Sequence, residues 1–167
     1  MRDEVLKFVD VTLEWYAKDT GSKPGTVLDI GSYDVNGSAR SNFEKTGWTY
    51  TGFDMEKGPN VDVVGCADDL SKYFPPAFFG AVSCLDTLEH VIDPMLVARQ
   101  CLWALKPGGL LILSAAGNGF PLHRHPIDCW RVLPDGMAHM MRGCRNIEIY
   151  LFNEMAGIVS RGIKETA

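Results

Sequence analysis

The sequence has no apolar run of about 18 residues, so it offers no membrane-spanning helix. It has no CxxC pair. Its five cysteines (Cys66, Cys84, Cys101, Cys129 and Cys144) are an odd number, which argues against a disulfide framework and predicts a reduced, cytoplasmic protein. Cys84 and Cys101 stand among apolar residues and read as small buried hydrophobes. No internal repeat, low-complexity tract or linker breaks the 167 residues, which predicts one domain. The opening MRDEVLKFVD has charge where a signal peptide needs an apolar stretch. A basic surplus is also missing. Net charge is −5; residues 1–119 carry 10 basic and 16 acidic side chains, residues 120–167 carry 6 and 5. Neither part is the positive surface that a phosphate backbone needs, so nucleic acid is not the expected partner. The glycine pattern GxGxxG and the Lys-Ser/Thr of a phosphate-binding loop are absent too.

What is present alternates between two periods. In DEVLKFVDVTLEWYAKD, Val5, Val9, Leu13 and Tyr16 recur at helical spacing, with acids at the start and Lys18 near the end. GSKPG breaks that helix. TVLDI reads as a buried strand, GSARSNFEKTG as a helix closed by Gly47, and WTYTGFD as a strand ending at Asp54. VDVVG and FFGAVSCL are two more strands. DPMLVARQCLWALKPGG reads as a helix with Asp93 as cap, Pro94 in its first turn and a Pro-Gly-Gly stop. LLILSAA is apolar throughout, as a strand covered on both faces would be. LPDGMAHMMRGC is a short helix whose Met137, Met140 and Met141 read as core. RNIEIYLF and AGIVSRGIK close the chain as an antiparallel pair. Strands alternating with helices predict an α/β fold: a doubly wound, mostly parallel seven-stranded sheet, helices on both faces, and an antiparallel last strand.

In such sheets ligands bind beyond the carboxyl ends of the strands, where strand order reverses. VLDIGSYDVNGS lies at one such end. Gly31 lets the chain turn where a side chain would block a ligand, although many strand-to-helix turns contain glycine with no ligand at all. Asp54 stands at the end of the next strand, where an acid can accept from both hydroxyls of a ribose. GCADDL follows the third strand and LDTLEHVIDP the fourth.

VLDIGS, YTGFDMEKGPNVDVV, ADDL, LDTLEHVIDP and LKPGGLLIL, in this order and spacing, resemble the class I S-adenosylmethionine-dependent methyltransferases over roughly residues 25–135. GSYDVNGS, with HRHPIDCWRVLPDG downstream, is similar to a branch of small bacterial and phage members, of the type 11 kind. The resemblance implies a Rossmann-like fold, S-adenosylmethionine as cofactor, and a division into an N-terminal helix (1–20), a cofactor-binding core (25–135) and a C-terminal helix and strand pair (136–167). It also implies roles. Asp29 and Gly31 would frame the methionine end, with Asp29 as partner of its ammonium and Ser32 and Tyr33 beside it. Asp54 would hold the ribose hydroxyls and Met55 would pack on the adenine. Cys66, Ala67 and Asp68 would meet the adenine edge, and Leu85 would line the methionine chain. Two positions depart from the family: Tyr33 stands where glycine is usual, and Cys66 where an aspartate usually accepts from the adenine amino group. A thiol is a poor acceptor, so the expectation is weaker cofactor binding, by about 1 kcal/mol for one hydrogen bond.

Candidates for the acceptor side lie in PLHRHPIDCWR. His123, His125 and Arg131 read as a substrate wall, with His123 and Asp128 as candidates for proton handling. The alternative is a structural loop in which Asp128 pairs with Arg131 and Trp130 plugs the core. A zinc site from His123, His125, Cys129 and Asp128 matches no common spacing, so no metal is expected. Glu89 and His90 open the turn after the fourth strand, where capping is as good a reading as catalysis. The function expected is methyl transfer to a small molecule, at oxygen or nitrogen, with a homodimer left open. The alternatives are a cofactor-binding protein without turnover, a nicotinamide-dependent oxidoreductase on a similar sheet, and a nucleic-acid methyltransferase.

Overall fold

The computed structural model describes residues 3–35, 37–152 and 156–166. Helix α1 runs Asp3–Thr20, with Asp3 and Glu4 in its first turn and Lys18 in its last, each complementing the helix dipole. Its stripe Val5, Val9, Leu13 and Tyr16 is buried, as the spacing predicts. The Tyr16 hydroxyl donates to the Gly108 carbonyl at 2.8 Å and ties the helix to the sheet.

Seven strands form one sheet: β1 Thr26–Ile30, β2 Thr49–Asp54, β3 Val63–Val64, β4 Phe79–Cys84, β5 Leu105–Ala116, β6 Cys144–Phe152 and β7 Gly157–Lys164. Their order is β3-β2-β1-β4-β5-β7-β6. β1 to β5 run parallel to one another; β7 runs antiparallel to both β5 and β6. Order reverses between β1 and β4, so a crevice is expected beyond those two tips. This is the doubly wound, mostly parallel seven-stranded α/β sheet read from the sequence.

Because side chains alternate along a strand, each strand feeds two cores. Val27 of β1, Ala81 of β4 and Leu110 and Ile112 of β5 pack with α1 and with Phe43 of helix α2 (Arg40–Glu44). Leu28, Ile30, Val82, Leu111 and Leu113 pack on the other face, under helices α3 (Pro94–Ala104) and α4 (Pro134–Met140). Met137, Met140 and Met141 belong to this second core, and Cys84 and Cys101 are buried in it.

The Asp93 carboxylate accepts from the Leu96 N–H at 2.9 Å and caps α3, with Pro94 just inside. Here the expected boundary is wrong. The helix stops at Ala104, and Leu105 already pairs with Phe79 in the sheet. The Lys164 ammonium donates to the carbonyls of Leu102 (2.6 Å) and Leu105 (2.7 Å) and satisfies the helix end, so Pro-Gly-Gly falls inside β5. Two elements are shorter than expected, α2 at five residues and β3 at two. Between β5 and α4, residues 117–133 form neither helix nor strand. Among the described residues no helix is long and apolar enough to cross a membrane.

Candidate active site

The tips of β1, β2 and β4 carry most of the residues expected to hold the cofactor, and the structure divides them into two groups. Asp54 ends β2 with its side chain at the edge. Its carboxylate accepts from the Tyr33 N–H (3.1 Å) and the Glu56 N–H (3.0 Å), which stitches the loop after β1 to the loop after β2. Each oxygen keeps a lone pair for a further donor. Met55 beside it is 65% exposed, an apolar surface open to a flat ring. Cys66 and Asp68 are exposed at the end of β3, while Ala67 packs against the core. The Cys66 N–H donates to the Tyr73 hydroxyl at 3.4 Å. A carboxylate acceptor with free lone pairs beside an open apolar side chain fits a nucleoside.

The second group is not open to a ligand. Asp29 is 1% exposed and faces the α1/α2 side, as alternation from Val27 requires. Its oxygens accept from the Ser83 hydroxyl (2.7 Å) and the Tyr50 hydroxyl. Burial pushes its pKa up to about 6, against the two hydroxyls, which favour the charged form. Burial, then the neighbouring Asp29 charge, raises the Tyr50 phenol. The carboxylate expected to meet an ammonium therefore lies below the surface and braces the sheet. Leu85, expected to line the methionine chain, is 2% exposed within the α1/α2 core.

Gly31 has φ +77°, the left-handed region. A Cβ there would lie 2.0 Å from the Thr87 Oγ1 and 2.6 Å from its Cγ2. What approaches this glycine is thus Thr87, reaching across from the loop after β4. The Gly31 and Ser32 N–H groups both point to the Phe53 carbonyl. Ser32 is buried, and its hydroxyl donates to the Asn60 carbonyl at 3.2 Å. The Tyr33 ring folds onto Gly58, where a Cβ would lie 2.2 Å from it. The bulk that replaces the usual glycine is stowed against the next loop.

On the other side of the crevice, a 3-10 turn at Leu88–His90 meets the loop after β5. The Glu89 carbonyl accepts from the Cys129 (2.8 Å) and Trp130 (3.3 Å) N–H groups. Four side chains converge there. His123 Nε2 is 3.8 Å from the buried Glu89 carboxylate, and His123 Nδ1 is 3.4 Å from Asp128. His90 stacks edge-on against His123 with ring centroids 4.7 Å apart, and its Nδ1 is 2.5 Å from the Ile127 carbonyl. Glu89, His90 and His123 each offer one ligand-type atom within 4.8 Å of the others, so these three could hold a metal ion. The set differs from the His123, His125, Cys129 and Asp128 weighed from spacing; His125 and Cys129 are exposed and outside it.

Asp128 is clamped by Arg131 through two hydrogen bonds, 2.5 and 2.7 Å, and accepts from the His123 N–H at 2.7 Å. The guanidinium, then that N–H, holds its carboxyl well below the usual range. The Arg131 donors also serve the carbonyls of Phe120, Pro121 and Trp130, so Arg131 shapes this wall as a brace. Trp130, expected in one reading to plug the core, is 45% exposed, because its indole N–H donates to the Val91 carbonyl at 2.9 Å and pins the ring across the surface. That ring borders a cavity of about 610 Å³, shared with Ile92, Met95, Leu133 and Met140.

Sequence reasoning missed Thr87, Asp86 and Asn60. Asp86 has φ +49° and is held in reciprocal 2.8 Å bonds with the Ser114 hydroxyl. The signal available for Asp86 and Thr87 was their place right after a strand tip.

The family described as a methyltransferase domain matches residues 1–144 of this chain. The chain is similar to the ubiquinone biosynthesis O-methyltransferase of Pseudomonas paraeruginosa, 32% identical over 90% of this chain and 72% of that protein. The protein of the same name from Pseudomonas fluorescens is 25% identical over 96% and 84%. Among solved structures, an Archaeoglobus fulgidus SAM-dependent methyltransferase superposes with TM-score 0.67 at 16% identity, covering 95% of this chain and 94% of that one. The Burkholderia thailandensis 1,6-didemethyltoxoflavin-N1-methyltransferase gives 0.68 at 17%, over 97% and 79%. At these identities the two structures show a shared fold.

Proposed function

The chain belongs to the methyltransferase-domain family and depends on S-adenosylmethionine; from that premise we propose that it methylates an oxygen of a small-molecule acceptor, with His123 receiving the acceptor's proton. When bound, the cofactor supplies an electrophilic methyl group on a positively charged sulfur. Asp54 and Met55 would hold its nucleoside half.

The observation that carries the reading is the His123 site. An imidazole sits between two carboxylates, Glu89 and Asp128, at the ligand edge of the sheet. A hydroxyl must lose a proton as it becomes an ether, so an oxygen acceptor profits from a base held in place. Asp128, kept ionised by Arg131, lies 3.4 Å from the ring Nδ1 and orients the imidazole. The neighbouring cavity of about 610 Å³ is of the size that small ligands occupy. The names of the relatives, O-methyltransferases, support oxygen over nitrogen.

The test is transfer of labelled methyl from S-adenosylmethionine to a panel of small phenols, alcohols and amines. Labelled ethers should form, and His123→Gln should slow transfer by about 100-fold, in the range of a lost general base, while S-adenosylhomocysteine binds as before. Labelled amines alone, or an unaffected His123→Gln, would defeat the proposal.

A second reading of the same cluster rests on the convergence of Glu89, His90 and His123. The second nitrogen of each ring faces a backbone carbonyl or a carboxylate, as the outer-shell partners of metal-bound histidines do. A divalent cation held there would bind the acceptor oxygen and acidify it. Transfer abolished by a chelator and restored by added cation favours this reading over the base.

A further inference from the structure

One loop residue joins both walls of the cofactor cradle. Asn60, between β2 and β3, is half-buried with φ +70°. Its amide NH₂ donates to the Ser32 carbonyl at 2.9 Å and to the Tyr50 hydroxyl at 3.1 Å. Its amide oxygen accepts from the Arg40 Nε at 2.5 Å. The reverse orientation would set oxygen against the Ser32 carbonyl and NH₂ against a guanidinium, so the partners fix which way the amide points. The Asn60 backbone carbonyl accepts in turn from the Ser32 hydroxyl at 3.2 Å, and it sits where a Cβ on Gly52 would lie, 2.0 Å away.

These bonds extend a longer chain. Ser83 on β4 donates to Asp29 on β1; Tyr50 on β2 also donates to Asp29; Asn60 donates to Tyr50 and to Ser32. Arg40 on α2 lies 4.3 Å over the Tyr50 ring and bonds Asp62, which accepts from the Gly52 N–H. Three strands, two loops and a helix are thus connected, and the free end of the connection is the turn Gly31–Val35 after β1. Asn60 is the member that grips that turn, through both atoms that Ser32 offers it.

We propose that Asn60 is a positioning residue for the cofactor: its amide fixes the turn after β1 against Asp54, and removing it weakens cofactor capture. The physical reason is preorganisation. A turn already held in its binding geometry loses no further freedom when a ligand arrives; a loosened one must be ordered at the ligand's expense. The proposal rests on the cradle lying at Asp54 and Met55.

The experiment is calorimetric titration of S-adenosylhomocysteine into the wild type and four variants. Asn60→Gly keeps the left-handed backbone and removes only the amide. Its Kd should rise by up to about tenfold, the loss of the one amide bond that grips Ser32. Amide hydrogens of residues 33–35 should exchange faster in the unliganded variant. Val97→Ala, on the buried face of α3, is the control for stability alone and should keep the wild-type Kd at a temperature where both fold. Asn60→Asp adds a pH test. Its carboxylate cannot donate to Ser32 at pH 8, whereas its protonated form can. Its affinity relative to wild type should therefore recover as the pH falls through that titration. Asp54→Ala reports on the cradle's place and should weaken binding by at least about tenfold. Asn60→Gly within twofold of wild type while Asp54→Ala is weak overturns the role of Asn60 alone. Both unchanged overturns the placement of the cradle and the inference with it. A Val97→Ala loss matching that of Asn60→Gly also overturns it, since stability would then explain both.

Discussion

Replacing Gly31 by alanine tests whether Thr87 occupies the space at the first strand tip. Two costs add. The residue sits at φ +77°, where an L side chain costs about 1–2 kcal/mol. The new methyl would also meet the Thr87 Oγ1 at 2.0 Å, its Cγ2 at 2.6 Å and its Cβ at 2.8 Å, so one of the two loops must move. Overpacking of this kind costs about 1–3 kcal/mol. The sum, about 2–5 kcal/mol, would lower the melting temperature by roughly 5–20 °C for a chain of this length. Urea unfolding followed by tryptophan fluorescence gives the free energy. A double-mutant cycle separates the two costs, because Thr87→Gly removes all three clashing atoms. In that background Gly31→Ala should cost only the backbone part, a coupling of about 1–3 kcal/mol. If Gly31→Ala costs the same in both backgrounds, Thr87 does not fill the space, and the account of this glycine fails.

Asp29 predicts a pH dependence. Its folded-state pKa of about 6 lies above the model-compound 3.8, so the folded chain holds that proton more tightly than the unfolded one. Asp29 therefore costs stability as the pH rises from about 4 to about 6, by roughly 3 kcal/mol in all. Asp29→Asn should flatten this part of the urea-midpoint profile; a slope that survives the substitution contradicts the assignment. Cys66→Asp should tighten S-adenosylmethionine by about fivefold, one hydrogen bond, in the same calorimeter. An unchanged Kd would mean that the adenine edge does not meet this position.

The strongest periodic signals were legible in the sequence. The stripe of α1 and the run Leu110–Leu113 show in composition and spacing alone, and Asp93 before Pro94 is a local cap. The place of Asp54 at the end of β2 was legible because a strand end and an acid are both local. The role of Asp29 was half legible: strict alternation from Val27 turns it toward the α1/α2 face, but its hydroxyl partners lie 21 and 54 residues away on other strands. The His123 cluster joins residues more than 30 positions apart, with no motif to announce it. Asn60 left no signal at all, since a single left-handed asparagine in a loop resembles any turn. The end of α3 was misjudged because its terminal carbonyls are served by Lys164, about 60 residues downstream.

The irregular stretch 117–133 has a consequence for how such a chain diversifies. Backbone bonds fasten it, from the Gly117 N–H to the Ala156 carbonyl, from the Val132 N–H to the Ala116 carbonyl and from the Cys129 and Trp130 N–H groups to Glu89, and the Trp130 indole adds a side-chain tie to Val91. Other side chains on it, Leu122, His125 and Cys129 among them, are exposed. Exchanging this stretch as a cassette could re-aim the chemistry at a new acceptor and leave the donor's berth intact. The scaffold thus allows one bank of the crevice to change while the other keeps its geometry.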